Sequence, residues 1–146
     1  MIRHPVARQK DDRKKKIVKS MERAKLTPID NFVNKFPHEL SGGEQQKALI
    51  ARSLVQEAKI LLLDEPTAGM NAAETHIVGK LILKLRDEGL TILVIEHDME
   101  LISQVCDEVV ALNFGQLIAD GTPAEIKANS AVIEAYLGEE EEAAPA

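Results

Sequence analysis

Three short stretches of this sequence hold the residues best suited to chemistry. Leu40-Ser41-Gly42-Gly43-Glu44-Gln45 places a Ser three residues before a Glu, with two glycines between them. That is a capping-box pattern, and such a helix N-terminus is either simply capped or offers its backbone N–H groups and positive dipole to an anion. Asp64-Glu65 follows the aliphatic run Ile60-Leu61-Leu62-Leu63, which delivers two carboxylates to the end of a strand, where they suit Mg²⁺ or a water molecule. Glu96-His97-Asp98 follows Thr91–Ile95 and sets an imidazole at the end of a neighbouring strand. Taken singly, each stretch has an ordinary structural reading. All three occur in order, at helix and strand termini expected to face one side of a single sheet.

The elements that must position these residues are readable from periodicity and punctuation. Residues 12–25 carry Ile17, Val18, Met21 and Ala24 at helical spacing among basic residues, and Thr27-Pro28 ends the run. Residues 28–40 read as loop. The Ser41 cap opens a helix to about Gln56 that buries Ala48, Ile50, Ala51, Leu54 and Val55. Ile60–Leu63 is too short for a helix and reads as a strand covered on both faces of a parallel sheet. Asn71, with Glu74 three residues on, starts a helix with the stripe Ile77, Val78, Leu81, Ile82 and Leu85, and Gly89 stands where a left-handed cap is wanted. Thr91–Ile95 is a second buried strand, and Asp98 caps a helix to about Val105. Val109–Leu112 and Leu117–Ala119 flank Asn113-Phe114-Gly115-Gln116 as a hairpin. Thr122-Pro123-Ala124-Glu125 is a third capping signal, followed by two short helices ending near Leu137. Strand, helix, strand, helix is the α/β pattern with a parallel sheet.

Composition bounds what these elements can be. The chain has 146 residues, 45% of them hydrophobic, enough for one globular domain with a core. No apolar run approaches the roughly 20 residues that span a bilayer, and the basic start has no apolar segment after it, so a soluble, unexported chain is expected. The single cysteine, Cys106, has no partner for an internal disulfide and no metal-ligand spacing around it. It reads as a small apolar residue near a helix end. The formal net charge of -6 hides an asymmetry, because residues 1–25 hold ten Lys and Arg against three Asp and Glu. Arg13-Lys14-Lys15-Lys16 has no aromatic residue among it to stack a base, and reads as a solvated helical face. Glu139-Glu140-Glu141-Glu142 and the residues after it read as disordered.

LSGGEQQKALIARSL, ILLLDEPTAGMN and TILVIEHDM resemble, in order, the signature, the Walker B segment with its D-loop, and the H-loop of ATP-binding-cassette (ABC) proteins. The resemblance extends from about Pro37 to Gly121. It implies an α/β fold, the C-terminal part of a P-loop NTPase (RecA-like) ABC ATPase domain with a remnant of the helical subdomain. Residues 1–57 would be the end of that subdomain plus the signature helix. Residues 58–128 would be the RecA-like half, and residues 129–146 a C-terminal helix and acidic tail. By the same resemblance the cofactors are ATP and Mg²⁺. Asp64 would hold the metal through water, Glu65 would polarise the attacking water, and His97 would contact the γ-phosphate. Ser41, Gly42, Gly43, Glu44 and Gln45 would face the nucleotide of an opposite subunit, and Asn71 would stand where the D-loop often has an aspartate.

Among cassettes, AGMN after Walker B, IEHDM at the H-loop and the ending GTPAEIKANSAVIEAYLGEE look most like the ATP-binding subunit of branched-chain amino acid importers. That implies a cytoplasmic chain, peripheral on the inner face of the membrane, paired with a second ATPase subunit and transmembrane permease subunits, with no nucleic acid involved. Two other readings stand beside it: a non-catalytic regulator or remnant that pairs with a complete ATPase, and a cassette of DNA repair or translation, which the absence of long heptad segments disfavours. No G-x-x-x-x-G-K-[ST] occurs, since Gly79-Lys80 is followed by Leu81. The family's phosphate cradle, adenine-stacking aromatic and glutamine loop are therefore expected to lie outside this sequence, and the missing half is expected to leave one side of the sheet open. Calorimetric titration of the chain alone with Mg²⁺-ATP is predicted to show negligible binding; micromolar affinity would contradict this.

Overall fold

The computed structural model describes the backbone of residues 5–142 and the side chains of residues 11–136. The chain divides into two compact units, Met1–Ile95 and Glu96–Ala146. Among the described residues no helix is long and apolar enough to cross a membrane.

The first unit is built from helix α1 (Pro5–Arg23), the short helix α2 (Asp30–Val33), a 3₁₀ turn at Pro37–Glu39, helix α3 (Gly42–Val55), strand β1 (Ile60–Asp64), helix α4 (Ala72–Asp87) and strand β2 (Thr91–Ile95). α1 starts earlier than its apolar spacing indicates and stops at Arg23, with Lys25 turned to φ 60. The stretch after it is less loop-like than expected, because α2 and the 3₁₀ turn occupy part of it.

α3 begins where the sequence places it. Ser41 accepts from the Glu44 N–H at 3.3 Å while its own N–H donates to Glu44 Oε2 at 3.0 Å. α4 repeats the device with Asn71 and Glu74. It ends on Gly89 at φ +92, where the Leu90 N–H reaches back to the Leu85 carbonyl at 3.2 Å, a closure that a left-handed residue makes possible. Ile50, Ala51 and Leu54 of α3 are buried, as are Val78, Leu81, Ile82 and Leu85 of α4, whereas Ile77 stays exposed at the margin of its stripe. Arg23 at the end of α1 pairs with Glu88 at 2.8 Å, and Lys84 lies 3.5 Å from the same carboxylate. Partly exposed pairs of this kind contribute modestly, roughly 0–1 kcal/mol each.

β1 and β2 form a two-stranded parallel sheet in the register Ile60↔Thr91 through Asp64↔Ile95. The expectation of strands covered on both faces needs correction. β1 alternates exposed and buried along its length, and β2 alternates exposed and half-buried. One face packs on the core and the other lies open, which agrees with the expectation that one side of this sheet is left uncovered.

The second unit contains helix α5 (Met99–Val105), strands β3 (Val109–Asn113) and β4 (Gln116–Gly121), and helices α6 (Pro123–Ala128) and α7 (Ser130–Glu142). β3 and β4 make the expected antiparallel hairpin, with an irregularity between Ala111 and Leu112. Ala111, Ile126 and Val132 form its core, with Met99, Val109, Ile118 and Ala119 packed around them. Thr122 caps α6, and hydrogen bonds from its backbone N–H and its hydroxyl hold the Glu125 carboxyl below the ordinary carboxylate range. Cys106 closes α5, and desolvation, with Asp107 beside it, pushes its thiol pKa up, in keeping with an unreactive residue. α7 departs from expectation. Its helix continues past Leu137 to Glu142, consistent with the good helix propensity of Glu. The expectation of disorder is therefore not met over Glu139–Glu142, and residues 143–146 lie outside the described ones.

Leu85 is fully buried and Ile77 is 47% exposed on the same helix. Leu85→Ala should cost about 2–5 kcal/mol in urea denaturation followed by circular dichroism, and Ile77→Ala less than about 1 kcal/mol. Equal losses would show that α4 does not bury the face described.

Candidate nucleotide site

The carboxylate pair is presented by a strand end and a strained turn. Asp64 is the last residue of β1, directly opposite Ile95 in the register, and its side chain lies exposed. Glu65 follows with φ 43, a left-handed backbone that disfavours a residue with a Cβ by roughly 1–2 kcal/mol. The structure fixes it from both sides. Its N–H donates to the Ile95 carbonyl at 2.9 Å, prolonging the sheet by one bond, and its carbonyl accepts from the Ala68 N–H at 3.1 Å. Pro66 and Thr67 are buried beneath the turn, and the Met70 N–H closes on the Thr67 carbonyl at 3.1 Å. Gly69, at φ +70, completes the reversal that leads into Asn71. Strain over-determined in this way is what holding one side chain in a set direction requires.

The same loop delivers α4 to α3. A Cβ on Gly42 would meet Met70 Cγ at 3.5 Å, and one on Gly43 would meet Glu74 Cβ at 3.7 Å. Two helix N-termini therefore stand side by side, and their positive dipole ends lie close together. Both are capped. Asn71 Oδ1 accepts from the N–H groups of Ala73 and Glu74 at 3.0 and 3.1 Å, while its amide donates to Glu74 Oε2 at 3.1 Å. Gln45 Nε2 donates to the Leu40 carbonyl at 3.1 Å, bracing the chain entering α3. Ser41, Gly42, Gln45 and Asn71 are exposed, Glu44 is partly covered, and Gly43 is buried against Glu74.

His97 belongs to the second unit and lies two residues beyond Ile95 in sequence. Its side chain is 72% exposed, whereas that of Glu96 is only 2% exposed. Glu96 Oε2 accepts from the His97 and Asp98 backbone N–H groups at 3.0 and 3.3 Å and lies 3.6 Å from His97 Nδ1. This carboxylate holds the backbone that carries the imidazole. Asp98 caps α5 through the Glu100 and Leu101 N–H groups at 2.8 and 3.2 Å.

Met70, Glu74 and Glu96 support these positions, and the sequence reading gave none of them that role. The contacts of Met70 and Glu74 with Gly42 and Gly43 join residues far apart in the chain, so no local pattern announces them. Glu96 could have been found, because a carboxylate between an apolar strand and a histidine is a common orienting partner.

Among the described residues no three His, Cys, Asp or Glu side chains are grouped so as to hold a metal ion by themselves. An exposed single carboxylate at a strand end fits a Mg²⁺ ion that brings phosphate oxygens and water as its other ligands.

Two family models match the chain: one described as ABC transporter, over residues 2–68, and one described as branched-chain amino acid ATP-binding cassette transporter, over residues 116–142. The chain belongs to the ATP-binding-cassette family. It is 46% identical over 112 residues to the high-affinity branched-chain amino acid transport ATP-binding protein BraF of Pseudomonas aeruginosa, covering 76% of this chain and 44% of that relative. It is 43% identical over 95 residues to the methionine import ATP-binding protein MetN of Haemophilus influenzae, covering 64% of this chain and 28% of MetN. Its fold matches a nucleotide-free cassette from an ABC transporter with a TM-score of 0.78 at 28% identity, covering 86% of this chain and 50% of that structure. A dimeric post-hydrolysis cassette bound to ADP and Pi matches with a TM-score of 0.65 at 28% identity, covering 77% of this chain and 48% of that one. The chain thus spans less than half the length of these curated relatives.

The capping geometry of this ABC chain carries its own test. Asn71→Ala removes the acceptor of two N–H groups and should cost about 1 kcal/mol in thermal or urea unfolding. Asn71→Asp keeps that acceptor but sets a second carboxylate against Glu74, so it should fall between Asn71→Ala and the parent. An unchanged midpoint for Asn71→Ala would show that the cap is not formed.

Proposed function

We propose that this chain is the signature and Walker B portion of the ATP-binding subunit of an importer of branched-chain amino acids, with ATP hydrolysis driving uptake. The observation that carries the reading is the parallel register that sets Asp64 opposite Ile95, two residues ahead of His97, in the unit where two capped helix N-termini meet. The solute assignment is supported by the similarity to BraF and by the branched-chain family model over residues 116–142.

Bound Mg²⁺ would neutralise the charge of the triphosphate that carries it. Asp64 is the residue suited to hold that ion, through water, from the end of β1. Glu65, fixed in direction by its strained backbone, accepts a hydrogen bond from the attacking water and raises its nucleophilicity. His97, on a backbone held by Glu96, donates to the γ-phosphate. Ser41 through its hydroxyl, and Gly42 and Gly43 through their N–H groups, with Glu44 and Gln45 bracing the turn, present donors to a nucleotide held by a second cassette subunit. Asn71, at the head of the adjoining helix, relays the state of one site to the other. Phosphoryl transfer needs chiefly positioning and charge neutralisation, so donors brought by a second subunit make hydrolysis depend on closure. Transmembrane permease subunits would convert that closure into transport, with the cassette peripheral on the cytoplasmic side.

In the transporter assembled with all its subunits in proteoliposomes, Glu65→Gln should lower ATP turnover at least about 100-fold while ATP binding persists. Leucine or valine delivered to the importer should stimulate turnover where methionine does not. Retained turnover in Glu65→Gln would remove Glu65 from the mechanism, and stimulation by methionine alone would overturn the solute assignment.

A further inference from the structure

The side chain of Glu74 stands at the heads of two helices. Its Oε2 accepts from the Asn71 backbone N–H at 3.3 Å and from the Asn71 side-chain amide at 3.1 Å, which closes the capping box of α4. The rest of the side chain forms a wall for α3. A Cβ on Gly43 would meet Glu74 Cβ, Cγ and Oε1 at 3.7, 3.8 and 3.9 Å, and Gly43 is buried. Gly42 stands in the same relation to Met70, whose Cγ a Cβ there would meet at 3.5 Å. A cap alone requires only the carboxylate oxygen. Here the same residue also sets how near α3 can come to α4.

From Glu74 back to Glu65 the chain is closed by one short turn after another. Asn71 is bound to Glu74, the Met70 N–H donates to the Thr67 carbonyl at 3.1 Å, and the Ala68 N–H donates to the Glu65 carbonyl at 3.1 Å. Little slack is left between positions 74 and 65, and a contiguous network of this kind passes a displacement along. Its two ends serve different nucleotides in the reading above, on which this inference rests: the head of α3 faces the nucleotide of a second subunit, and Glu65 faces the chain's own. We propose that Glu74 is a positioning residue that couples the two nucleotides of a cassette pair. When the head of α3 shifts toward the second subunit's nucleotide, the Glu74 wall shifts with it, and the loop carries the movement to the strained turn at Glu65. Glu74 acts through Gly43 on one side and Asn71 on the other, and touches neither nucleotide.

The test is ATP turnover across a range of ATP concentrations by the transporter assembled with all its subunits in proteoliposomes. The parent should respond sigmoidally, with a Hill coefficient above about 1.3, where two sites allow about 2. Glu74→Ala should bring the coefficient to about 1 and lower kcat at least about tenfold, with half-maximal turnover at an ATP concentration within about threefold of the parent's. Glu74→Gln, which keeps an acceptor oxygen and the bulk of the wall, should restore the coefficient and bring kcat within about threefold of the parent. Glu125→Ala removes a capping-box carboxylate of the same kind in the second unit. It should lower the thermal midpoint about as Glu74→Ala does and leave the Hill coefficient unchanged. If Glu74→Ala does not assemble, Met70→Ala takes its place, and withdrawing the contact on Gly42 should lower the coefficient in the same direction. A parent coefficient of about 1, a Glu74→Ala variant that keeps the parent's coefficient, or a Glu125→Ala variant that loses it would overturn the coupling role. So would a Glu74→Gln variant as impaired as Glu74→Ala. Failure of the nucleotide-site reading is read separately, from retained turnover in Glu65→Gln.

Discussion

The candidate site depends on one backbone register. Five paired positions tie β1 to β2, and the Glu65 N–H to Ile95 carbonyl bond at 2.9 Å extends the pairing by one step past the last strand residue. Because the strands run parallel, both arrive at the same end of the sheet. Asp64 and Glu65 stand there, and the chain leaving Ile95 reaches His97 after two residues. A shift of one residue would move every side chain of β1 to the opposite face, burying Leu62 and turning Asp64 away. The aliphatic residues of the two strands therefore fix the position of the carboxylates through packing.

The second dependency is the approach of α3 to α4. Gly42 and Gly43, at the head of the signature helix, lie so near Met70 and Glu74 that a Cβ on either would be in ordinary van der Waals contact with them. Glu74 serves two helices at once: it completes the capping box of α4 and forms the wall against which Gly43 lies buried. The loop from Glu65 to Asn71 is thus clamped at both ends, by the sheet at Glu65 and by α3 at Met70 and Glu74. A displacement of the signature helix would be felt at Glu65 through one short stretch of backbone. Such a mechanical link lets an event at one helix end alter the geometry of the Glu65 carboxylate.

Much of this was legible in the sequence, for local reasons. Ser41, Asn71, Asp98 and Thr122 all cap helices as their neighbours indicate, because an N-cap is a contact between residues two or three apart. Gly89 ends α4 with a positive φ for the same local reason. What could not be read depends on distant residues. The left-handed backbone of Glu65 has no compositional sign, since it is imposed by bonds to Ile95 and Ala68. The meeting of Gly42 with Met70 is set by how two helices pack. The strands β1 and β2 looked doubly buried because aliphatic composition records what a face is suited to touch, whereas exposure records what this chain provides for it. α7 runs further than its apolar pattern indicates, since glutamates extend a helix without marking a buried face.

The most direct test of the central claim, that the C-terminal end of β1 is where a metal-bound triphosphate is held, is paramagnetic relaxation of backbone amide signals by Mn²⁺-ATP. It is measured on this chain assembled with a complementing cassette half. Broadening should be strongest at Asp64 and Glu65 and should increase at Gly42 and Gly43 when a second subunit closes. Strongest broadening anywhere other than the Asp64–Glu65 turn, with those two signals sharp under saturating Mn²⁺-ATP, would contradict the account.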